Sequence, residues 1–165
     1  MKYIKLYENF KDIDLFDEED WDETENDSSF LWWLNKNYSN ENIWKNITEI
    51  NCSYNDLENL NGIENCINLK YLNCSHNNLT SLKGIENLVN LRILCCNNNK
   101  LENLNEIENL TKLKLLNYFH NNLTNLNGIE NLTNLKILNC KNNKFSNEYK
   151  QYLKDELKNI IYLDI

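Results

Sequence analysis

The chain is predicted to fold as an α/β solenoid, a stack of coils that each contribute one short strand to a parallel sheet and one tight turn segment to the opposite side. Three observations predict it: a fixed 22-residue period, apolar spacing that switches from two to three within each period, and one asparagine column present in every copy. The copies read "ITEINCSYNDLENLNGIENCIN" from Ile47, "LKYLNCSHNNLTSLKGIENLVN" from Leu69, "LRILCCNNNKLENLNEIENLTK" from Leu91 and "LKLLNYFHNNLTNLNGIENLTN" from Leu113. A fifth opens at Leu135 with "LKILNCKNNKF" and then diverges. No insertion breaks the register, and a period of this length means stacked coils.

The strand comes first in each copy. Leu72 and Cys74 are inward residues two apart with polar Asn73 between them, the period of a strand. The segment after it spaces Leu57, Leu60, Ile63, Cys66 and Leu69 by three, which suits a 3₁₀-like turn and neither a strand nor a long α-helix. Gly62, Gly84 and Gly128 share one column, predicted to be a backbone corner at positive φ. Glu106 occupies that column in the third copy, so the corner is expected not to be strictly glycine. The asparagine column is Asn55, Asn77, Asn99, Asn121 and Asn143. The chain is rich in Asn generally, a bias that an AT-rich genome produces, but drift does not place Asn in all five copies. Where the chain leaves a strand its N–H and C=O groups lose their ladder partners. An inward amide, with two donors and an acceptor, can serve the bend of its own coil and of the next.

With these columns in place, "LxxLxCxxNxL" on a 22-residue period resembles the leucine-rich repeat family, in its short-repeat subclass with "GIENL"-type convex segments. The resemblance covers roughly residues 47–145. It implies a right-handed leucine-rich-repeat solenoid with a parallel sheet on the concave face. It also implies a scaffold for binding other proteins, although fold alone does not name a partner.

The ends need covers, because a solenoid otherwise exposes its core. Residues 28–46 are predicted to be a helical N-terminal cap, starting near Ser28 or Ser29 and turning Phe30, Trp33 and Leu34 to one side, with Trp44 nearby. The repeats occupy 47–156, the last copy being helical with Tyr149, Leu153 and Leu157 on one face. Residues 157–165 form a terminal strand and cap, in which Ile160, Leu163 and Ile165 repeat the strand pattern.

Residues 1–27 form an acidic N-terminal segment. Positions 8–27 hold eleven acidic residues and one Lys, a charge of −10; the whole chain carries −8, so the remainder sums to +2. Ile13, Leu15, Phe16 and Trp21 are interspersed there, the mixture found in segments that dock on basic partners. A solvated linker is the preferred alternative. "DEEDWDE" lacks the spaced ligands and turn glycine of a calcium loop.

Candidate chemistry reads mostly as packing. Cys52, Cys74, Cys96 and Cys140 share an inward column interrupted by Tyr118, and serve as small buried hydrophobes. Stacked strands bring Cα atoms within reach of a disulfide, but parallel side chains hold the Cβ atoms too far apart. His76 and His120 sit two coils apart, about 10 Å, too far to share a zinc ion. Cys95 is expected on the exposed strand face. No metal or other cofactor is expected. No phosphate-binding glycine loop and no oriented nucleophile, acid and base are legible, so the chain is not expected to be an enzyme.

The outward strand residues define the expected working surface. One row runs Glu49, Tyr71, Ile93, Leu115, Ile137, and beside it Asn51, Asn73, Cys95, Asn117, Asn139. A third runs Ser53, Ser75, Asn97, Phe119, Lys141, and the edge row is Tyr54, His76, Asn98, His120, Asn142. Tyr71, Ile93, Leu115, Ile137 and Phe119, with Tyr54, His76 and His120, are the candidate partner-binding residues. Four consecutive exposed apolar residues mark an interaction site, though strand propensity accounts for them equally well. The expected partner is another protein, with neither nucleic acid nor membrane involved. The acidic balance opposes a general basic surface, and no apolar run approaches a membrane span or a signal core. A monomeric cytoplasmic, or otherwise intracellular, interaction module follows, with six reduced Cys. A structural or assembly spacer, and an inhibitor or charge mimic acting through residues 8–27, are the alternatives.

Overall fold

The computed structural model describes residues 29–38, 41–158 and 160–165, and the acidic segment lies outside them. The chain forms a right-handed solenoid whose six strands pair in parallel and in sequence order. They are β1 (Glu49–Asn51), β2 (Tyr71–Asn73), β3 (Ile93–Cys95), β4 (Leu115–Asn117), β5 (Ile137–Asn139) and β6 (Tyr162–Asp164). Glu49 pairs with Tyr71, Tyr71 with Ile93, Ile93 with Leu115, Leu115 with Ile137 and Ile137 with Tyr162, so the 22-residue period is the register itself.

The three-residue spacing closes into a run of tight turns. In the first coil Ile63 donates its N–H to Leu60 O, Cys66 to Ile63 O and Leu69 to Cys66 O, at 2.9–3.0 Å. The same three bonds recur from Leu82 to Leu91, from Leu104 to Leu113 and from Leu126 to Leu135. Each turn closes on an apolar residue, and i to i+3 closure eclipses those residues onto one inward line. That is why the spacing is three rather than the mixed three and four of an α-helix.

Gly62, Gly84 and Gly128 take φ of +101°, +107° and +104°. A Cβ on Gly128 would stand 2.8 Å from Leu104 O, so both conformation and space require glycine there. Glu106 does not adopt this corner. Its coil instead winds into a 3₁₀ turn over Asn105–Ile107, two residues earlier in the repeat than the Ile63–Asn65 turn of the first coil. One carboxylate oxygen of Glu106, Oε2, is left buried and without a hydrogen bond. Burial raises its pKa, and Glu86 nearby adds to the effect.

The asparagine column performs the predicted task, with a difference in direction. Asn77 donates to Cys74 O of its own coil at 3.1 Å and to Cys52 O of the preceding coil at 2.9 Å. Its Oδ1 accepts from Leu57 N–H at 2.9 Å and Asn55 N–H at 3.1 Å. Asn99 bonds Cys96 O, Cys74 O and Leu79 N–H, and Asn121 and Asn143 repeat the pattern. Each amide thus fastens its own bend to the coil before it. Asn55 has no earlier coil and reaches only Ser53 O with its side chain, at 2.6 Å.

Both ends are closed by helices capped through serine hydroxyls. Ser29 Oγ accepts from Trp32 N–H ahead of α1 (Phe30–Asn37), and Phe30 and Leu34 of that helix are fully buried over the first coil. A single turn, α2 (Glu41–Trp44), follows; Trp44 is buried and donates its indole N–H to Tyr38 O. Ser146 Oγ accepts from Tyr149 N–H ahead of α3 (Asn147–Glu156). Leu153 of α3 is buried, Tyr149 and Leu157 pack half-buried on the core, and the Tyr149 hydroxyl accepts from Leu126 N–H.

The cysteine column lies in this core, and all six cysteines are free and buried. Burial pushes the Cys66 thiol up to about 11 and Cys140 to about 12, and lifts Cys52, Cys74 and Cys96 as well. The Cys52, Cys74 and Cys96 thiols donate to the carbonyls of Asn73, Cys95 and Asn117 on the next strand, at 3.4–3.5 Å. Tyr118, which breaks the column, is wholly buried. Its hydroxyl has no oxygen or nitrogen partner; the Cys96 sulfur is the neighbour it acts on.

Two outcomes follow. Asn99→Ala leaves Leu79 N–H without its acceptor and takes one of two amide donors from each of Cys74 O and Cys96 O, and should cost about 2–3 kcal/mol in urea unfolding, whereas Asn55→Ala should cost less than about 1 kcal/mol. The thiols are protonated more tightly folded than unfolded, where they titrate near 8.5. Stability should therefore hold steady below about pH 8.5 and fall as pH rises toward 12, as followed by Tm. Replacing the six cysteines with Ser or Ala would remove the part of that decline below about pH 10, above which the buried Tyr118 phenol continues it.

Candidate functional site

The outward face of the sheet encloses a groove of about 570 Å³, lined by residues from β2 to β6 and from the strand exits, including Tyr54, Tyr71, Phe119 and Tyr162. Sheet register assembles the predicted row Tyr71, Ile93, Leu115, Ile137 side by side and adds Tyr162 to its end. The row is less exposed than the sequence suggests. Leu115 and Ile137 are only 2% accessible, and with Cys95 they form a small apolar cluster on which Ile93 and Tyr162 pack. Neighbours at sheet spacing, about 4.8 Å, cover one another, so the row is a packed floor and not an open stripe. Cys95, expected on the exposed face, is 7% accessible, and burial raises its thiol to about 12. Tyr71 is half-buried, with a phenol raised first by burial and then by Cys95 beside it.

The neighbouring asparagine row also turns out to be committed to the backbone. Asn51, Asn73, Asn117 and Asn139 each accept, through Oδ1, the N–H of the residue two further on: Ser53, Ser75, Phe119 and Lys141. Such Asx turns bend the chain out of the strand. Their recurrence in the sequence was visible, but a solvent-facing Asn row reads equally well as a binding surface. Coordinates were needed to show that its oxygens already hold protein N–H groups.

The rim is where accessible side chains gather. Tyr54, His76, Asn98, His120 and Asn142 all take φ between +54° and +58°. This left-handed bend suits Asn and His better than Tyr. It projects Tyr54, 54% accessible, and His120 at the groove edge. The Tyr54 and His76 rings stack at 4.1 Å with 12° between planes, and Asn98 Nδ2 lies 3.1 Å from His76 Nε2. Phe119 and His120 meet edge to face at 5.8 Å. At the far end Lys141 and Asp164 approach to 3.6 Å, with the Lys largely exposed, a pair of little energetic weight. Of these, sequence reasoning missed Tyr162 and Asp164 of β6 as site residues; the repeat diverges before them, and only the sheet register brings them into the groove.

Among the described residues no group of three or more His, Cys, Asp or Glu side chains is placed to hold a metal ion. No helix among them is long and apolar enough to cross a membrane. The groove offers aromatic and amide surface over a packed apolar floor.

Residues 67–109 match the family described as leucine-rich repeats in two copies. No curated protein matches the chain. Among solved structures, internalin C2 from Listeria monocytogenes superimposes with a TM-score of 0.67 at 23% identity, covering 74% of this chain and 54% of its own, a likeness of fold alone. The functional domain of InlJ from Listeria monocytogenes, which includes a cysteine ladder, aligns at 35% identity and TM-score 0.60 over 64% of this chain and 23% of its own. A leucine-rich-repeat protein of Leptospira interrogans aligns at 30% identity and TM-score 0.58 over 73% of this chain and 38% of its own. The chain therefore spans about half or less of the length of these proteins. The family match thus covers residues 67–109, and the register of the sheet gives the whole stack the form of a leucine-rich-repeat-like solenoid.

Proposed function

We propose that the chain is a non-enzymatic interaction module that binds another protein across the concave strand face. The observation that carries this reading is the rim of accessible Tyr54 and His120, with half-buried Phe119 beside them, held over a packed apolar floor. Aromatic groups bury large area at small entropic cost, which is why they recur at interfaces. The protein-binding character of leucine-rich-repeat solenoids supports it. So does the occurrence of a similar fold, at 20% identity and TM-score 0.59, in the Drosophila melanogaster SNF/U2A′ complex.

The floor directs attention to the rim. Leu115 and Ile137 already spend their apolar surface on each other and on Cys95, so they support the shape of the site. Tyr54, Phe119 and His120, with Lys141 and Asp164 at the far end, are the side chains left to meet a partner. Six rows at about 4.8 Å give a face roughly 25–30 Å long and, at about 15 Å wide, near 400 Å². A stable complex buries about 800 Å² per partner. The concave face alone supports weak binding, and a tighter complex recruits the flanking edges of the sheet.

Tyr54→Lys and Phe119→Lys, each at an accessible or half-buried position, should leave Tm within about 2 °C, the scale of a surface change. Combined, they should abolish capture of the native partner as identified by affinity purification and mass spectrometry. Undiminished capture of that partner by the double variant would remove the concave rim from the interface.

A further inference from the structure

A second surface lies along the edge where the strands begin. Lys70, Arg92, Lys114 and Lys136 occupy one column, each immediately ahead of its strand. Their backbones are hydrogen-bonded in series: Arg92 N–H to Lys70 O, Lys114 to Arg92 O and Lys136 to Lys114 O, at 2.8–2.9 Å. The four cationic side chains therefore leave the sheet at successive rungs about 4.8 Å apart. Lys70, Arg92 and Lys114 are exposed and Lys136 is half-exposed. Lys112 adds a fifth cation beside them, its ammonium bound to Asn90 Oδ1 at 2.8 Å.

Cations outnumber carboxylates along this edge, where exposed Glu49 opens β1 and exposed Glu108 stands one residue before the third segment. Residues 65–70, 87–92, 109–114 and 131–136 contain no acidic side chain. Three of the four carboxylates that precede them, Glu64, Glu86 and Glu130, are turned back to accept the N–H groups of Gly62, Gly84 and Gly128 at 2.7–2.9 Å, and Glu108, whose coil lacks that glycine, is not. Among the described residues the four stacked cations form no ion pair and no side-chain hydrogen bond. Like charges on neighbouring strands repel and lower stability. Here they recur on four consecutive rungs of a chain whose net charge is −8. Beside the first two rungs stand Ile67 and Val89, 50% and 47% accessible. The edge is thus a line of positive charge with an apolar shoulder.

The same chain carries the complement. Residues 8–27 hold eleven acidic side chains and one Lys, with Ile13, Leu15, Phe16 and Trp21 among them. We propose that this acidic segment docks in cis on the Lys70–Arg92–Lys114–Lys136 edge, its carboxylates over the cations and its apolar residues against Ile67 and Val89. Reach permits it: twenty residues extend to about 65 Å, whereas four rungs span about 15 Å. Tethering two residues from the Ser29 cap supplies an effective concentration on the millimolar scale.

The test is zero-length carbodiimide cross-linking of the full chain, using an equal mixture of unlabelled and ¹⁵N-labelled protein and peptide mass spectrometry. Cross-links from residues 8–27 should favour Lys70, Lys112, Lys114 and Lys136 over Lys100 and Lys144, which lie past the strand exits. They should join peptides of a single isotope. They should fall severalfold between about 0.01 M and 1 M salt, as the screening length shrinks from about 30 Å to about 3 Å. The exposed-site variant carrying Lys70→Gln, Arg92→Gln, Lys114→Gln and Lys136→Gln should lose the remaining cross-link to Lys112. Cross-links spread evenly over all lysines, or none from the segment, would overturn the proposal and leave the edge to an anion from outside the chain. Mixed-isotope pairs would overturn docking in cis in favour of exchange between two copies.

Discussion

The structure rests on one recurring problem: every coil must turn its backbone out of a strand inside a dry interior, where N–H and C=O groups have no water. The buried amide column solves it at each rung. Because Asn77, Asn99, Asn121 and Asn143 each bond their own bend and the one before, the solution also joins neighbours. Coils are therefore not separately stable units laid side by side. Each supplies the groups that satisfy the last, which makes the stack cooperative over its length.

A strict register has consequences on both surfaces. Inside, it aligns leucines and thiols into columns, and a departure such as Tyr118 is absorbed by wholly burying a phenol against sulfur. Outside, it converts a repeated residue type into a line with 4.8 Å spacing. A single lysine ahead of a strand is unremarked surface polarity. Four cations on successive rungs, three Lys and one Arg, form a line of charge, and three of the four glutamates ahead of them are held by glycine N–H groups. Periodicity thus builds ordered surfaces as readily as it builds a core, and the concave rim and the basic edge are two products of one repeat.

Departures from the repeat are equally instructive. Glu106 stands where the other coils have glycine, and its coil rewinds as a 3₁₀ turn because a side chain there cannot take the φ near +104° of its counterparts. Cys95 stands where the other strands have an Asx-turn asparagine, and it becomes part of the apolar floor. In both places the neighbouring coils hold the geometry while one rung changes its chemistry.

Sequence alone determined the class of fold, the strand residues, the inward columns and the Asn ladder, because each is a strict function of position in a 22-residue period. It also placed the N-terminal helix, whose Ser29 and apolar face are local signals, and the helical segment of the last copy. Tertiary structure decided what period cannot express. It buried Leu115 and Ile137 against each other, showed that the outer Asn row is bound to its own backbone, and brought Tyr162 and Asp164 beside Ile137 and Asn139 across a break in the repeat. Exposure and partnering depend on how far neighbouring side chains cover one another, and that is set only when the rungs are stacked.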